Sequence, residues 1–419
     1  MTHVAVESDS SAGFVGGEAR LQGLRVAYVA FEGFPNSKGS GTRIRQLTQA
    51  LCDAGAEVHL VTLAPKPGAG APPRGVVLRP INLLEDNLLA RALAFRDRVL
   101  RELVAIRPDV VHFRGVFEGE ACLAYGARRG VPTLFELNGL PSIELSYHYT
   151  GLAGSQSMQA KLRELEARVL QGTRWALTQS QTTLEFMQSR GLPATTPRVV
   201  IPNAADPELF RPAAEPLAPP SAANPARLLY VGATQAWQGT LELLMATRRV
   251  AREMPVALCM VGPMRRRWRK QIERSVHRLK LDETVQLLGA LPAQELPALI
   301  QSSHLCLAPL RRDVRNKHQG CSPIKVFEYM SCGRPVVSTD LPCMREIIQP
   351  GVTGELIESP RPKALADALL ELLQDDSRRL ALGDAARQYI QREATWELRR
   401  NALVEFYASG LSLAARASA

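Results

Sequence analysis

Residues 320–339 read GCSPIKVFEYMSCGRPVVST, which is a helix bounded by its own start and stop signals and followed at once by a short apolar strand. Ser322 is a favourable N-cap and Pro323 a favourable first helical residue, because the N–H that proline lacks would have no intrahelical partner there. The free N–H groups of Ile324 and Lys325 then point out of the first turn. There the positive end of the macrodipole favours an anion, and the Lys325 ammonium adds a full charge. Three-to-four-residue spacing places Ile324, Phe327 and Ser331 on one face and Lys325, Glu328 and Cys332 on another. Gly333 supplies the stop, and PVVST reads as a buried strand. The prediction is a diphosphate-sized anion seat with a carboxylate one turn further in; an exposed Lys325–Glu328 pair on an ordinary helix is the alternative.

The same alternation of helix and short apolar strand extends in both directions. RVAYVAF, EVHLVTL, DVVHF, PTLFEL, WALTQS and RVVIPN precede the central stretch, and RLLYVG, VALCMVG, TVQLLG, HLCLAPL, PVVST and GELI fill the second half. Such runs are the mark of parallel strands buried on both faces. With 419 residues, 46% of them hydrophobic, the chain can build two cores. The predicted class is α/β, with two Rossmann-like domains facing across a cleft at the carboxyl ends of their sheets. Expected boundaries are a disordered tail at 1–22, a first domain at 23–205, a Pro- and Ala-rich linker at 206–226, a second domain at 227–392 and a final helical segment at 393–419. The tail has no apolar core of a signal peptide, and no run approaches the ~18 apolar residues of a membrane span. Seven cysteines without metal-ligand spacing fit reduced thiols in a cytoplasm.

SPIKVFEYMSCGRPVVSTD resembles the nucleotide-sugar segment of family 4 glycosyltransferases, retaining enzymes of the GT-B architecture, and the likeness runs over roughly residues 24–405. The resemblance implies that Glu328 binds the nucleotide ribose. The family's other glutamate, which contacts the donor sugar, falls at Gly320, where the missing side chain allows close backbone approach. Cys321, Ser322 and Ile324 complete this donor-side stretch, with Lys325 and Glu328 in the catalytic role. Gly39 and Gly41 fail as a dinucleotide fingerprint, because the sixth position is Ile44 and the next strand ends at Thr62 without an acid. They resemble instead the family's glycine loop, which reaches the donor phosphates, with Arg43 assisting.

Residues 107–149 resemble the acceptor side, which gives His112 and Glu136 as acceptor-side candidates and places Asn138 where many members carry a histidine near the reacting carbon. For His112 a partnered structural role is the alternative. LLYVGATQAWQG, containing Gly232, has Thr234 and Gln238 where the family has two cations on the diphosphate. The substitutes expected for them are Arg311, Arg312, Arg315 and Lys317. The last helix resembles the one that in GT-B enzymes crosses back to the first domain.

The implied function is transfer of a sugar from a nucleotide-sugar donor to a lipid-linked or soluble glycan acceptor with retention of configuration, in cell-surface, exopolysaccharide or glycoconjugate biosynthesis. No Asp-x-Asp metal motif occurs, and no cofactor or metal is expected. The net charge of +10, with RRRWRK at 265–270 and Arg248, Arg249 and Arg252, comes without a nucleic-acid-binding motif. The basic segments therefore point to a peripheral contact with an anionic membrane, at the inner face for a cytoplasmic protein. Residues 88–106 read either as an interfacial amphipathic helix or as a helix whose apolar stripe fills the core. A nucleotide-sugar epimerase of the same architecture and a non-catalytic nucleotide-sugar-binding protein are the alternatives.

Overall fold

The computed structural model describes residues 20–418 apart from 67, 69, 150, 152 and 153. Two all-parallel sheets organise it. In the first, β1 (Arg25–Gly33), β2 (Glu57–Leu63), β3 (Val77–Ile81), β4 (Val110–Phe113), β5 (Thr133–Leu137), β6 (Trp175–Thr178) and β7 (Arg198–Val200) lie in the order β3-β2-β1-β4-β5-β6-β7. In the second, β8 (Ala226–Val231), β9 (Val256–Val261), β10 (Val285–Leu288), β11 (Leu305–Ala308), β12 (Val336–Thr339) and β13 (Glu355–Ile357) lie in the order β10-β9-β8-β11-β12-β13. The strand order reverses beside β1 and beside β8, and loops leaving the strands diverge there to open a crevice. The chain is thus a pair of parallel-sheet α/β domains. The strand that the apolar pattern missed is β3, VLRPI, where Arg79 and Pro80 interrupt the run; its place at the sheet edge tolerates the missing proline N–H.

Each sheet is covered on both faces. Ala27, Val29, Phe113 and Phe135 pack under Phe95, Val99 and Leu103 of the helix Leu88–Ile106, so that helix does fill the core. On the other face, Val26, Tyr28, Val58 and Leu60 meet Ile44, Leu47 and Leu51, together with Leu403 and Tyr407 from the last helix, Trp396–Ser418. The expected tail lies mostly outside the described residues, but Leu21 is buried in this layer and its N–H donates to the Ala54 carbonyl at 2.9 Å.

The chain crosses between domains at two adjoining points. The Ala205 N–H donates to the Ala394 carbonyl at 3.2 Å, and the Trp396 N–H donates to the Ala205 carbonyl at 3.1 Å. Residues 206–226, expected as a free linker, are fastened at their start to the second domain. Phe210 is buried in its core, and the Arg387 guanidinium donates to the carbonyls of Pro207, Phe210 and Ser331 at 3.2, 3.1 and 2.9 Å. Ala205 and Thr395 form an isolated parallel bridge where the two crossings meet. Among the described residues no helix is long and apolar enough to cross a membrane.

Leu403 is fully buried where the last helix docks on the first sheet. Leu403→Ala is expected to lower unfolding free energy by ~2–5 kcal/mol in urea denaturation, as for other large-to-small core changes. An unchanged midpoint would contradict that docking.

Candidate active site

The helix Ile324–Ser331 starts one residue later than its sequence suggests. Pro323 occupies the N-cap position, and Ser322 makes no cap hydrogen bond. Its hydroxyl instead accepts the Asn203 N–H at 3.0 Å, and its carbonyl accepts Asn203 Nδ2 at 2.5 Å. A buried N–H of the other domain would otherwise be orphaned, and that need outweighs a cap at a solvent-facing turn. The N–H groups of Ile324 and Lys325 have no intrahelical partner, while that of Val326 donates to the Pro323 carbonyl at 3.0 Å.

Lys325 and Glu328 do not form the surface pair. Lys325 is 8% exposed; its ammonium donates to Gln238 Oε1 at 2.9 Å and lies 4.2 Å from the centre of the Tyr230 ring. Burial lowers its pKa to about 7, with the nearby Cys321 thiol pulling the other way. Glu328 is half-buried, and its carboxylate takes part in no hydrogen bond or ion pair with any described residue; burial raises its pKa to about 7. An unsatisfied carboxylate and a barely solvated ammonium on successive turns, beside free N–H groups, form a receptive polar surface.

Glycines keep this surface open. A side chain at Gly232, whose φ is +145°, would begin 3.4 Å from Lys325 Nζ. Across the cleft, a side chain at Gly39 would begin 3.4 Å from Ile324 Cδ1, so the helix Gly39–Asp53 of the first domain points its start at the start of Ile324–Ser331. Gly41 lies one turn in, packed on Asn36. Gly320 has φ 76° and ψ 177°, and its missing Cβ would lie 3.1 Å from both Ser180 Oγ and Thr182 Cβ of the first domain. Cys321 is buried with its sulfur 3.7 Å from that of Cys343.

Other expected site residues lie elsewhere. Arg43 is 1% exposed: its Nε donates to Glu136 Oε1 at 2.6 Å, and its Nη1 donates to the Ile201 carbonyl and Asn203 Oδ1, each at 3.0 Å. His112 is fully buried between the Tyr407 hydroxyl at 2.9 Å and Glu136 Oε2 at 3.2 Å. Glu136 also accepts the Tyr28 hydroxyl and is ion-paired with Arg114 at 3.3 Å. Burial pushes the Glu136 carboxyl up, but Arg114, Arg43 and His112 together hold it well below the usual range; burial pulls the His112 imidazole down against the opposing pull of Glu136. These three residues, expected on the donor or acceptor side, form a polar knot inside the first domain. His112 and Glu136 sit within strands covered on both faces and are fully buried.

Arg311 is about half exposed and 3.4 Å from Glu242, Arg312 donates to the carbonyls of Asp340 and Glu358 at 3.0 and 2.8 Å, and Arg315 stacks on Trp237 at 4.7 Å. Of the expected substitute cations, Lys317 alone has an exposed side chain with no partner among the described residues.

Asn138 does line the cleft. Its Oδ1 accepts from Arg114 Nη2 at 2.8 Å, and it borders a pocket of about 240 Å³ together with Glu32, Ser40, Arg114 and Glu144. Glu32, Arg114 and Glu144 were missed in the sequence. Glu32 lies near the carboxyl end of β1, and Arg114 follows β4 directly, as Asn138 follows β5. The position at carboxyl ends of parallel strands was therefore the signal available for the first two. The cleft is closed over these groups. Glu346 accepts the N–H groups of Gln181 and Thr182 at 2.7 and 2.8 Å, and Gln319 Oε1 accepts the Leu140 N–H at 2.8 Å.

The arrangement matches known proteins domain by domain. The family described as Glycosyltransferase Family 4 matches residues 37–209, and that described as Glycosyl transferases group 1 matches residues 225–375. A D-inositol 3-phosphate glycosyltransferase of Pseudarthrobacter chlorophenolicus is 24% identical over 87% of this chain and 89% of its own length. One from Thermobispora bispora is 24% identical over 90% and 91%. Among solved structures, sucrose-phosphate synthase from Thermosynechococcus elongatus superposes with a TM-score of 0.77 at 19% identity, covering 93% of this chain and all of that one. Anabaena HepE, solved in complex with UDP-glucose, gives 0.72 at 16% identity over 92% and 100%. These likenesses establish the GT-B fold.

Gly320 combines positive φ with two close contacts across the cleft. Gly320→Ala is therefore expected to lose ~1–3 kcal/mol of stability, the range for a residue forced into a glycine-only conformation. An unchanged melting temperature would contradict the tight packing of this loop.

Proposed function

The chain belongs to the family 4 glycosyltransferases, and from that premise we propose that it moves a sugar from a nucleotide-sugar donor to an acceptor hydroxyl with retention of configuration. The observation that carries this reading is the pair Lys325 and Glu328 at the start of one helix, both penalised by burial in their charged forms and neither in an ion pair with a described residue. The N–H groups of the first turn and the Lys325 ammonium meet the diphosphate, whose charge grows as the sugar leaves; interactions that strengthen as charge develops raise turnover. Gln238 steadies the ammonium. Glu328 accepts hydrogen bonds from the ribose hydroxyls. The pocket at Asn138 and Arg114 adjoins the donor sugar and receives the acceptor hydroxyl beside it, and domain closure over it orients the reacting groups and excludes water.

A nucleotide sugar as donor is consistent with HepE, solved with UDP-glucose, and with a GDP-mannose-dependent mannosyltransferase of Corynebacterium glutamicum whose name gives a phosphatidylinositol monomannoside as acceptor; it is 29% identical over 30% of this chain. We take the acceptor to be lipid-linked and the pathway to be glycoconjugate synthesis at an anionic membrane. The helix Leu88–Ile106 supports this. Beyond its core stripe it exposes Leu89, Leu93, Leu100 and Val104, which helical spacing gathers on one strip, with exposed Arg101 beside it. A second basic surface, a groove of about 420 Å³ between the helices Thr240–Glu253 and Arg266–Arg278, is lined by Arg267, Arg274 and Arg278.

Glu328→Gln keeps the size of the side chain and removes a charged acceptor, so nucleoside diphosphate affinity measured by calorimetry is expected to fall by ~1.5–3 kcal/mol. Wild-type affinity and turnover in a folded Glu328→Gln variant would remove the site assignment.

Binding to vesicles containing anionic phospholipid is expected at low salt and is expected to weaken sharply near 1 M salt, where the Debye length is about 3 Å. Leu93→Glu with Leu100→Glu should reduce it further. Absence of binding at every salt concentration would favour a soluble acceptor.

A further inference from the structure

The space between the first turn of Ile324–Ser331 and the Asn138 pocket is where a donor sugar must lie if the diphosphate sits on that helix. Several carboxylates border this space, and most are already committed. Glu136 is fully buried among Arg43, His112 and Tyr28. Glu118 is 1% exposed and accepts the Phe31 N–H at 3.2 Å. Glu32 accepts the Ser40 hydroxyl with one oxygen and Arg114 Nη1 with the other, each at 2.6 Å. Position 320 carries no carboxylate, and its positive φ and close neighbours disfavour any side chain there.

Glu144 differs from all of these. It belongs to the first-domain helix Pro141–His148, lines the pocket beside Asn138, and reaches across to the segment that leads into Ile324–Ser331. There its Oε1 accepts Gln319 Nε2 at 2.7 Å and is ion-paired with Arg315 Nε at 2.8 Å. Its Oε2 accepts no hydrogen bond from any described residue, although the side chain is only 24% exposed. The carboxylate is held from both sides. Tyr147, three residues on, packs edge-on against Trp237 at 5.2 Å, and the Arg315 guanidinium lies over the same indole at 4.7 Å. A rigidly placed oxygen with an unused acceptor site, at the junction of the two domains, suits a sugar hydroxyl.

We propose that Glu144 is a specificity-determining residue which accepts a hydrogen bond from a hydroxyl of the donor sugar, reaching it from the opposite domain to the one that holds the diphosphate. This rests on the nucleotide-sugar reading above. It predicts discrimination at the sugar and indifference to the nucleotide, because Glu144 touches neither ribose nor phosphate.

The test compares the affinity of wild type and Glu144→Gln for UDP against UDP-glucose and for GDP against GDP-mannose, by calorimetry. For the pair that the wild type binds, Glu144→Gln is expected to keep diphosphate affinity within about twofold and to lose about tenfold or more for the sugar nucleotide, the scale of a hydrogen bond to a charged group. Arg315→Met, which cuts the ion pair while leaving Glu144 in place, supplies the control. It is expected to preserve the ratio of sugar-nucleotide to diphosphate affinity even if both decline. A proportional fall for both ligands in Glu144→Gln, matched by Arg315→Met, would show Glu144 to be a domain fastener and overturn the proposal, as would unchanged affinity for both ligands. Failure of wild type to bind any of the four probes would overturn the donor reading itself and the proposal with it.

Discussion

A lysine ammonium with one glutamine oxygen as its hydrogen-bond partner and a tyrosine ring beneath it is poorly compensated for leaving water. In this chain the burden falls on Lys325, and one turn on Glu328 carries the complementary one without a partner. A fold tolerates two such groups only if the surrounding structure over-determines them. Here β8 supplies Tyr230, Gly232 leaves the room, and the helix itself is anchored at its far end by Ser331, whose hydroxyl donates to the Phe210 carbonyl at 2.6 Å. A ligand that brings negative charge to the lysine and hydroxyls to the glutamate relieves both penalties together, which is the physical case for a nucleoside diphosphate.

The same helix explains how the domains are joined. Its start is tied to the first domain through Ser322 and Asn203, and Ile324 packs with Ala204 and Trp396 at the two crossing points. On the proposed function, movement of the domains about Ala205 and Thr395 would disturb the diphosphate seat, and occupation of the seat would bias that movement. Glu346, holding the start of the helix Gln181–Ser189 from the other domain, closes the same gap a short distance away. On that reading, nucleotide binding and domain closure share residues and are coupled.

Much of the architecture could be read directly from the sequence, because parallel strands buried on both faces have to be apolar runs; β3 escaped because Arg79 and Pro80 sit where an edge strand allows them. The central helix was also legible, since its start and stop residues are local. Its cap was not: what Ser322 bonds to is decided by Asn203, 119 residues away. Arg43, His112 and Glu136, expected on the donor or acceptor side, are turned inward for a related reason. Polar residues near the carboxyl end of a strand look alike in sequence, but Glu136 lies inside β5 while Asn138 lies beyond it, and that difference separates a buried ion-pair knot from a cleft wall. Glu144 gave no signal, because its meaning comes from Arg315 and Gln319 in the other domain.

The central claim, that burial makes Lys325 easy to deprotonate and that a bound diphosphate stabilises its ammonium form, has a direct thermodynamic signature. Its pKa is about 7 in the free protein and rises when an anion binds, so the complex holds more proton than its parts above pH 7, and affinity declines as pH increases through that range. At pH 8 the diphosphate is already fully ionised, and titration calorimetry in buffers of differing ionisation enthalpy counts the protons exchanged. The expected result is net proton uptake by the wild-type chain on binding a nucleoside diphosphate, abolished in Lys325→Met. Binding with no proton uptake, or uptake that survives Lys325→Met, would contradict the assignment of Lys325 to the diphosphate.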